Sequence, residues 1–524
     1  MSHILNLPTE LLNRIFDFLA EPDSDTIERE RSCDNTTELY NLCLVCQRFR
    51  ALAQPLLCRY FNGDDIDDLK PLISFTKAVY RRPTLGEHVK FVTVTPSPDA
   101  QLGENPPKLP NDDIAVFANA VRGLGLPHDE EEYWIRAVEK RDLSVFVVLL
   151  TFKTPNIRAL RVAHGQVFVE PFLALWKVRP SYLSRLEQIW IACDNIYPGY
   201  NIARYEKFLT LPNLKAPTFE DGELVRSRFP SGWAPGTLAA EELAFKDCFL
   251  DAASLKKYTK ACKRVKALTY QSFSPIPDED SHIRLGNEKE FNAADAHAAL
   301  LPHKDTLEHL HVEFFREAWL IDGPQAYAEY CENTPKFPSL ADFPVLETII
   351  VPYATLPPHP RFPRSLQLLH ITDCNASIRP MLSTIAKDAK KGLYPELTKF
   401  LVLAVDISRP IKLPGQIIPQ GKTPADCFLE LQGWFSETKV DFQICPYDLS
   451  SSLPLPRGGL DDTDDGIPGF PGGPGMPGMP GMLQMMMQRA MEDPDFAAML
   501  QDAAGGNDSD DQSWVTEEED DDDE

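Results

Sequence analysis

Two cysteines three residues apart give the strongest metal-binding or redox signal in this sequence. Cys43 and Cys46 have the C-x-x-C spacing used for zinc and thiol–disulfide chemistry, and Cys33 and Cys58 lie nearby. Four thiolates can hold one zinc ion in a tetrahedron. The pair, however, lies in an apolar segment with helical spacing, and it has neither a glycine-containing knuckle nor a second C-x-x-C. We therefore expect buried packing residues and no metal site.

A glycine-bounded stretch and a histidine pair also have residue types suited to ligand binding. The stretch from Gly415 to Thr423 imitates a phosphate-binding loop, but five residues separate its glycines where the motif has four. A proline inside it and the lack of a clear following helix favour a surface turn. His309 and His311 share a strand face without further ligands and are expected on the solvent side. With no recognisable catalytic signature elsewhere, we expect a non-enzymatic protein without a catalytic residue, metal or cofactor.

The elements that could position binding residues are indicated by a repeated apolar triplet. Two apolar residues three apart are followed by a third two residues later. The last two positions share one face of a short strand, as a buried parallel strand requires. The nine triplets are Val89/Val92/Val94, Ile157/Leu160/Val162, Leu186/Ile189/Ile191, Ala240/Leu243/Phe245, Val265/Leu268/Tyr270, Leu307/Leu310/Val312, Leu346/Ile349/Val351, Leu366/Leu369/Ile371 and Leu397/Phe400/Val402.

This triplet resembles the leucine-rich-repeat core, L-x-x-L-x-L-x-x-[N/C]. The resemblance implies that successive strands form a parallel sheet lining one concave face. The periods are irregular, and the gap between the first positions Leu186 and Ala240 has room for one further unit around 211–214. We therefore predict an α/β fold, with an irregular leucine-rich-repeat-like solenoid and parallel sheet over residues 87–450. The alternative is an unrelated α/β domain whose buried strands show the same pattern.

A solenoid sheet offers a long, rigid surface for binding another protein. Strand residues between the apolar positions would face solvent there, and several are basic or aromatic in an otherwise acidic chain, which is compatible with an anionic target segment. We assign target binding to Arg158, Arg161, Trp190, Lys246, Lys266, His309, His311 and His370.

The first 62 residues have helical periodicity. Pro8 and Thr9 begin an amphipathic helix, Glu10 lies in its first turn, and apolar residues recur close to every 3.6 positions. A second apolar segment begins at Leu39 and extends to Phe49. The two halves, Leu7-Pro8-x-Glu10-Leu11-Leu12-x-x-Ile15-Phe16-x-x-Leu19 and Leu39-x-x-Leu42-x-x-Val45-Cys46-x-x-Phe49, together resemble the F-box.

The resemblance implies an F-box over residues 1–62 that binds a Skp adaptor and, through it, a cullin–RING ubiquitin ligase. A 17-residue polar stretch, 21–37, separates the two halves and is longer than is usual in the family. The entropic cost of closing a loop of this length is small, but the sequence does not determine how the two halves pack against each other. The alternative is a helical cap on the solenoid. The adaptor contacts carried over are Leu7, Pro8, Leu11, Ile15, Leu19, Leu42, Val45 and Phe49.

Charge and cysteine usage limit the class of partner and the compartment. The net charge is −26, and the chain stays acidic without the eleven acidic residues of 508–524, which argues against nucleic acid as a partner. Eleven scattered cysteines suit reduced thiols, so we expect a cytoplasmic or nuclear protein. No run approaches the roughly 20 apolar residues that cross a bilayer, and the N-terminus lacks a basic signal-peptide region. We therefore expect no membrane association.

Two further regions complete the predicted domain organisation. Residues 63–86 are expected to connect the F-box to the solenoid. Residues 451–524 are rich in glycine, proline and methionine and then acidic, which predicts a disordered tail. A short helix is expected within 483–502, and its methionine stripe suits varied partners. This segment and its Gly-Met-Pro repeats faintly resemble the C-terminal part of some Hsp70 co-chaperones.

The function implied by these resemblances is substrate recognition for an SCF-type ubiquitin ligase. The F-box would hold the Skp adaptor, and the solenoid would hold an unknown target protein. The sequence contains no RING-type cysteine/histidine array, so this chain would not recruit a conjugating enzyme by itself. Two alternatives stay open: a scaffold whose F-box never meets a cullin, and a chaperone-linked adaptor acting through the methionine-rich tail.

Overall fold

The computed structural model describes residues 4–20, 34–66, 68–96, 109–164, 169–193, 200–226, 229–230, 232–272, 289–314, 329, 331–404 and 419–446. All of them belong to the first of two units, Met1–Tyr447. The predicted tail at 451–524, its helix at 483–502 and most of the polar stretch at 21–37 lie outside the described residues.

Three helices form the N-terminal region, as predicted. They are α1 (Thr9–Ala20), α2 (Asp34–Val45) and α3 (Gln47–Leu57), preceded by a 3-10 turn at Ile4–Asn6. Leu12, Phe16, Leu39 and Phe49 are buried together in a small core of their own. Cys46 separates α2 from α3: its backbone is extended, and its sulfur accepts a hydrogen bond from Phe49 N at 3.4 Å. The C-x-x-C spacing therefore reflects a helix cap and a packing residue.

Parallel strands in chain order follow these helices. Twelve of them form one path, in the order β1-β2-β3-β4-β6-β8-β9-β10-β11-β12-β13-β14, and two short strands, β5 and β7, lie off it. The strands are β1 (Tyr60–Ile66), β2 (Phe91–Pro96), β3 (Ala159–His164), β4 (Gln188–Cys193), β5 (Tyr200–Asn201), β6 (Ala216–Glu220), β7 (Gly222–Leu224), β8 (Glu242–Leu250), β9 (Ala267–Ser272), β10 (His309–Glu313), β11 (Thr348–Pro352), β12 (Leu368–Cys374), β13 (Lys399–Ala404) and β14 (Asp441–Pro446).

All nine apolar triplets end in a strand of this path. Their middle residues are aligned across neighbouring strands, as Leu310 is with Leu268 on one side and Ile349 on the other. The unit expected between Leu186 and Ala240 is β6, where Pro217 is paired with Ile189 and Phe219 with Phe245. The predicted parallel α/β architecture is therefore confirmed.

The sheet begins earlier in the chain than the sequence predicts. Residues 63–86, predicted to be a connector, contain the rest of β1 and most of two helices, so the sheet extends N-terminal to the predicted start at residue 87. The pattern was missed because β1 has Cys58, Phe61 and Gly63 at the triplet positions, where glycine provides no apolar side chain. The last strand, β14, was missed because the polar Lys439 stands at its first triplet position.

Helices connect the strands and pack against one face of the sheet. The helices after the N-terminal region are α4 (Lys70–Arg81), α5 (Pro83–His88), α6 (Asn111–Arg122), α7 (His128–Glu139), α8 (Leu143–Phe152), α9 (Glu170–Val178), α10 (Glu206–Leu209), α11 (Ala252–Ala261), α12 (Ala293–Leu300), α13 (Arg379–Lys390) and α14 (Pro424–Phe435). Further 3-10 turns lie at Ile202–Tyr205, Leu301–His303, Leu340–Asp342, Tyr353–Thr355 and Ala376–Ile378.

One continuous core fills the space between these helices and the sheet. It contains the triplet residues together with the inward side chains of the helices. Trp190 and Ile350, which alternate with triplet residues along their strands, are buried but lie outside this core, on the other face of the sheet. None of the helices in the described part of the chain has the length and apolar content to cross a membrane.

A close backbone approach at Gly86 gives the first test of this packing. A methyl group on Gly86 would lie 2.1 Å from the carbonyl oxygen of Lys153, whereas one on Gly433, in α14, would meet open space. We expect Gly86→Ala to lower the free energy of unfolding by about 1–3 kcal/mol because backbone must shift. Gly433→Ala should raise it by up to about 1 kcal/mol. Denaturant unfolding of both variants measures this, and equal effects would contradict the assigned contact.

Candidate functional site

Exposed apolar side chains are concentrated in the N-terminal helices. Of twelve large hydrophobic residues that are exposed in the described chain, seven lie between residues 4 and 45. They are Ile4, Leu11, Ile15, Phe18, Tyr40, Leu44 and Val45. A soluble chain rarely leaves such a group uncovered, so this surface is a candidate for contact with another protein. We call it the helical apolar surface.

The apolar residues of α1 divide into two stripes. Leu12 and Phe16 point into the small helical core, and Phe16 packs edge-to-face on Phe49 at a ring separation of 5.2 Å. Leu11, Ile15 and Phe18 follow at helical spacing on the adjacent side and are exposed, with 79% of Phe18 open to solvent. The apolar arc is wider than the internal core can cover, so its outer half is free for a partner.

The predicted adaptor contacts fall into three groups. Leu11, Ile15 and Val45 are exposed apolar residues, and Pro8 is exposed beside them. Half-buried positions at the edge of the helical core are Leu7, Leu19 and Leu42. Phe49 is only 3% exposed, so its prediction as a direct contact is corrected: it is a core residue, because it packs against Phe16.

Arg48 fixes the segment that precedes α1. Its Nη2 donates hydrogen bonds to the carbonyl oxygen of Leu7 at 2.8 Å and to the Thr9 hydroxyl at 3.2 Å. These bonds tie α3 to the start of α1 across 41 residues of sequence. The two halves of the N-terminal region, whose mutual packing the long polar stretch left open, therefore pack together. The helical apolar surface is presented on a single folded unit.

The cysteines of this region do not form a reactive or metal-binding group. Burial raises the pKa of the Cys43 thiol, and burial together with the neighbouring Cys43 raises the pKa of Cys58 to about 11. Both thiols are thus held protonated, which opposes metal binding and nucleophilic chemistry. Within the described residues, no cluster of three or more histidine, cysteine, aspartate or glutamate side chains could hold a metal ion.

The second candidate surface is the face of the sheet opposite the main core, centred on Trp190. Arg161 and Lys246 place their cationic groups 4.0 and 4.5 Å from the centroid of the Trp190 ring, and Trp190 Nε1 donates to Glu220 Oε2 at 2.9 Å. Trp190 is 2% exposed and Lys246 is 4% exposed. These two residues, predicted to face solvent, instead form a buried stack, because the cations cover the ring.

A polar network lies beside this stack on β9 to β12. Glu313 accepts hydrogen bonds from Gln271 Nε2 at 3.1 Å and pairs with His311 Nε2 at 2.8 Å. Burial, and repulsion from His311, lower the pKa of His370 to about 4, so this histidine is neutral. His370 is also buried, which corrects its prediction as a solvent-facing residue, and its Nε2 has no hydrogen-bond partner among the described residues.

Asp373, close to Glu313, also has a shifted pKa. Burial, reinforced by repulsion from Glu313, raises the pKa of Asp373 to about 8, so its carboxyl is protonated at neutral pH. Its backbone has φ 51°, the left-handed conformation that aspartate tolerates better than most residues. Asp373 is therefore a buried, neutral acid close to Glu313.

The remaining predicted target-binding residues lie at the start of the strands. Arg158 is exposed and 3.8 Å from Glu187, while Lys266 shares Glu241 with Arg264, at 3.2 and 2.6 Å. His309 is half-buried on β10. The cations that suggested an anionic target are therefore already neutralised by carboxylates or stacked on Trp190. Most of the predicted residues lie on strands of the sheet, with Arg158 and Lys266 just before theirs, but the structure does not assemble them into an anion site.

Several residues of both surfaces escaped the sequence prediction. Phe18 is in helical register with Leu11 and Ile15, and Leu44 with Tyr40, so spacing alone could have identified them. Glu220, Gln271 and Glu313 each lie two residues after another residue of the same sheet face, Thr218, Thr269 and His311, so strand alternation could have identified them. Asp373 gave no signal, because its environment depends on a register irregularity near the end of β12.

The stretch that imitates a phosphate-binding loop serves another purpose. A helix does follow it, contrary to the sequence prediction: Thr423 and Asp426 form a capping box at the start of α14. Lys422 pairs with Glu430 instead of standing free for a phosphate. Residues 415–418 lie outside the described part of the chain.

Comparison with models of known protein families matches residues 4–62 to an F-box-like domain. This match coincides with the three N-terminal helices, the start of β1 and the helical apolar surface. It does not confirm the leucine-rich-repeat resemblance of the sheet region. A search of curated proteins finds no relative with a significant match.

Two phenylalanines on α1 separate core packing from surface exposure. We expect Phe16→Ala to lower the free energy of unfolding of the helical region by about 3–5 kcal/mol, because it opens a cavity under Phe49. Phe18→Ala should change it by no more than about 0.5 kcal/mol. Denaturation followed by a probe in the N-terminal helices measures both. A large loss for Phe18→Ala would mean that this side chain belongs to the core.

The buried Asp373 carboxyl predicts a pH dependence of stability. Its pKa is raised from 3.8 to about 8 in the folded chain, so its contribution is lost as pH rises through this interval. We expect Asp373→Asn to become more stable than wild type as pH rises from about 4 to about 8, by up to about 1.4 kcal/mol for each pH unit. Asp247→Asn, at another left-handed position, is the control. Parallel pH profiles for wild type and Asp373→Asn would contradict this prediction.

Proposed function

We propose, from the premise that residues 4–62 form an F-box-like domain, that this protein is the substrate-recognition subunit of an SCF-type ubiquitin ligase. The observation that carries the proposal is the helical apolar surface, because it lies within the matched residues and is exposed in the folded chain. In this role the surface binds a Skp adaptor, which connects the chain to a cullin–RING assembly.

The arrangement on α1 suits a partner that offers an apolar groove. Leu11, Ile15 and Phe18 form one stripe on a helix held rigidly by the core beneath it. Anchors of this kind bind with a small ordering cost, since the helix is already formed. Tyr40 and Leu44 extend the apolar surface onto α2.

The sheet supplies the second binding function. Its face opposite the main core is a row of parallel strands with fixed register, and we propose that this face holds the target protein. The contribution of the chain is then proximity, which raises the effective concentration of target lysines near a charged conjugating enzyme. No catalytic role is proposed for this chain. The nine cysteines whose side chains the structure describes are free, which supports a cytoplasmic or nuclear location.

The test is co-purification with a Skp adaptor and a cullin. The Leu11→Asp, Ile15→Asp double variant places two carboxylates in the apolar contact, which should cost several kcal/mol and weaken adaptor binding at least 100-fold. The matched control is Leu393→Asp, Leu429→Asp, which changes two apolar residues that are exposed outside the N-terminal helices. This control should bind as wild type does.

Three outcomes are informative. Loss of adaptor binding in the first variant alone, with an unchanged unfolding transition, supports the proposal. Adaptor binding by wild type without any cullin would reduce it to a scaffold that carries an F-box. Absence of adaptor binding by wild type would overturn it and leave the N-terminal helices as a cap on the sheet.

A further inference from the structure

A cavity of about 140 Å³ opens on the sheet face opposite the main core, beside the Trp190 stack. Its floor consists of small side chains on three neighbouring strands, β6, β8 and β9: Ala216 and Ala267 flank Glu242 in one row, and Ala244 lies between Thr218 and Thr269 in the next row. The larger side chains of Trp190 and Gln188 rise from β4 on one side, and His309 and His311 stand on β10 beyond the other side. The depression follows from this order of small and large residues.

The size of the cavity selects the class of guest. Pockets for drug-sized ligands enclose roughly 300–1,000 Å³, well above the volume here. A single long amino-acid side chain is the guest that fits. The alanine floor offers apolar contact for an aliphatic stem, and strand backbones below it are already paired. The geometry thus suits one side chain of a protein segment lying across the strands.

Glu242 decides the charge of that side chain. Of the described residues that line the cavity, Glu242 is the titratable one, and it stands in its row between Ala216 and Ala267. It is exposed, and its carboxylate has no ion pair or hydrogen bond among the described residues. A guest cation would find an acceptor without displacing an existing partner, and a guest carboxylate would be repelled.

The cations nearest the cavity do not reverse this preference. Lys266 and Arg264 are both held by Glu241, whose hydrogen bonds from these two residues outweigh its burial and lower its pKa. Lys246 is buried on the Trp190 ring. Lys215, at the start of β6, is exposed and forms no ion pair in the described chain, so it stays solvated at the edge of the sheet.

We infer that this cavity receives a lysine or arginine side chain of the bound target, with its cationic end on Glu242 and its aliphatic stem over Ala216, Ala244 and Ala267. The inference rests on the proposed use of this face for target binding and names the chemistry recognised there. The target segment is therefore cationic at this point, in contrast to the anionic segment that the basic residues of the sequence suggested.

The probes are short capped oligo-lysine, oligo-arginine and oligo-glutamate peptides, titrated against the full-length protein at physiological salt. Glu242→Gln should weaken binding of at least one cationic peptide about tenfold or more, because a charged hydrogen bond is lost. Ala244→Leu fills the cavity without changing charge and should weaken it similarly. Glu347→Gln, the same charge change immediately before β11 and outside the cavity, is the matched control and should have less than about a twofold effect.

The contrary results are equally specific. Equal losses for Glu242→Gln and Glu347→Gln would mean that the acidic chain attracts basic peptides generally, and would overturn the inference. Tighter binding of oligo-glutamate than of both cationic peptides, lost in Lys215→Ala, would assign the face to an anionic target instead. The relative affinities of oligo-lysine and oligo-arginine identify the preferred side chain. Adaptor binding should persist in Glu242→Gln, so failure here is distinguishable from failure of the adaptor proposal.

Discussion

The register between neighbouring parallel strands is the constraint on which the rest of this structure depends. Main-chain hydrogen bonds fix it from one strand to the next, as Glu187 N donates to Arg158 O and Glu347 N to Glu308 O. A slip by one residue would exchange the two faces of a strand and move its triplet residues out of the core. The same register sets Trp190 against Arg161 and leaves the alanine floor open, so the binding face is a consequence of core alignment.

The N-terminal helices obey a different constraint, which is the shortage of core in a small bundle. Three short helices cannot cover all of their own apolar surface, and α1 shows this as two adjacent stripes. One stripe, with Phe16, makes the fold possible, and the other, with Phe18, is left for a partner. Stability and binding thus use different faces of one helix, which explains how both can be encoded in twelve residues.

The outer face of the sheet combines order with unusual polarity. Burying Lys246, Glu313 and His370 is costly unless they are satisfied, and the stack on Trp190 and the bonds to Glu313 offset much of that cost. Within the part of the chain that the structure describes, His370 Nε2 has no hydrogen-bond partner, which is a destabilising feature. Such a network favours a single arrangement of its side chains.

The sequence by itself determined the elements that depend on local pattern: the three N-terminal helices, the nine strands with apolar triplets, and the resemblance of residues 7–49 to the F-box. It failed where Gly63 and Lys439 replaced apolar residues, because periodicity needs apolar side chains to be visible. Only the tertiary structure decided which apolar and polar residues stay accessible. Phe49 became core while Phe18 did not, and Trp190 and Lys246 buried one another, because accessibility depends on neighbours that are distant along the chain.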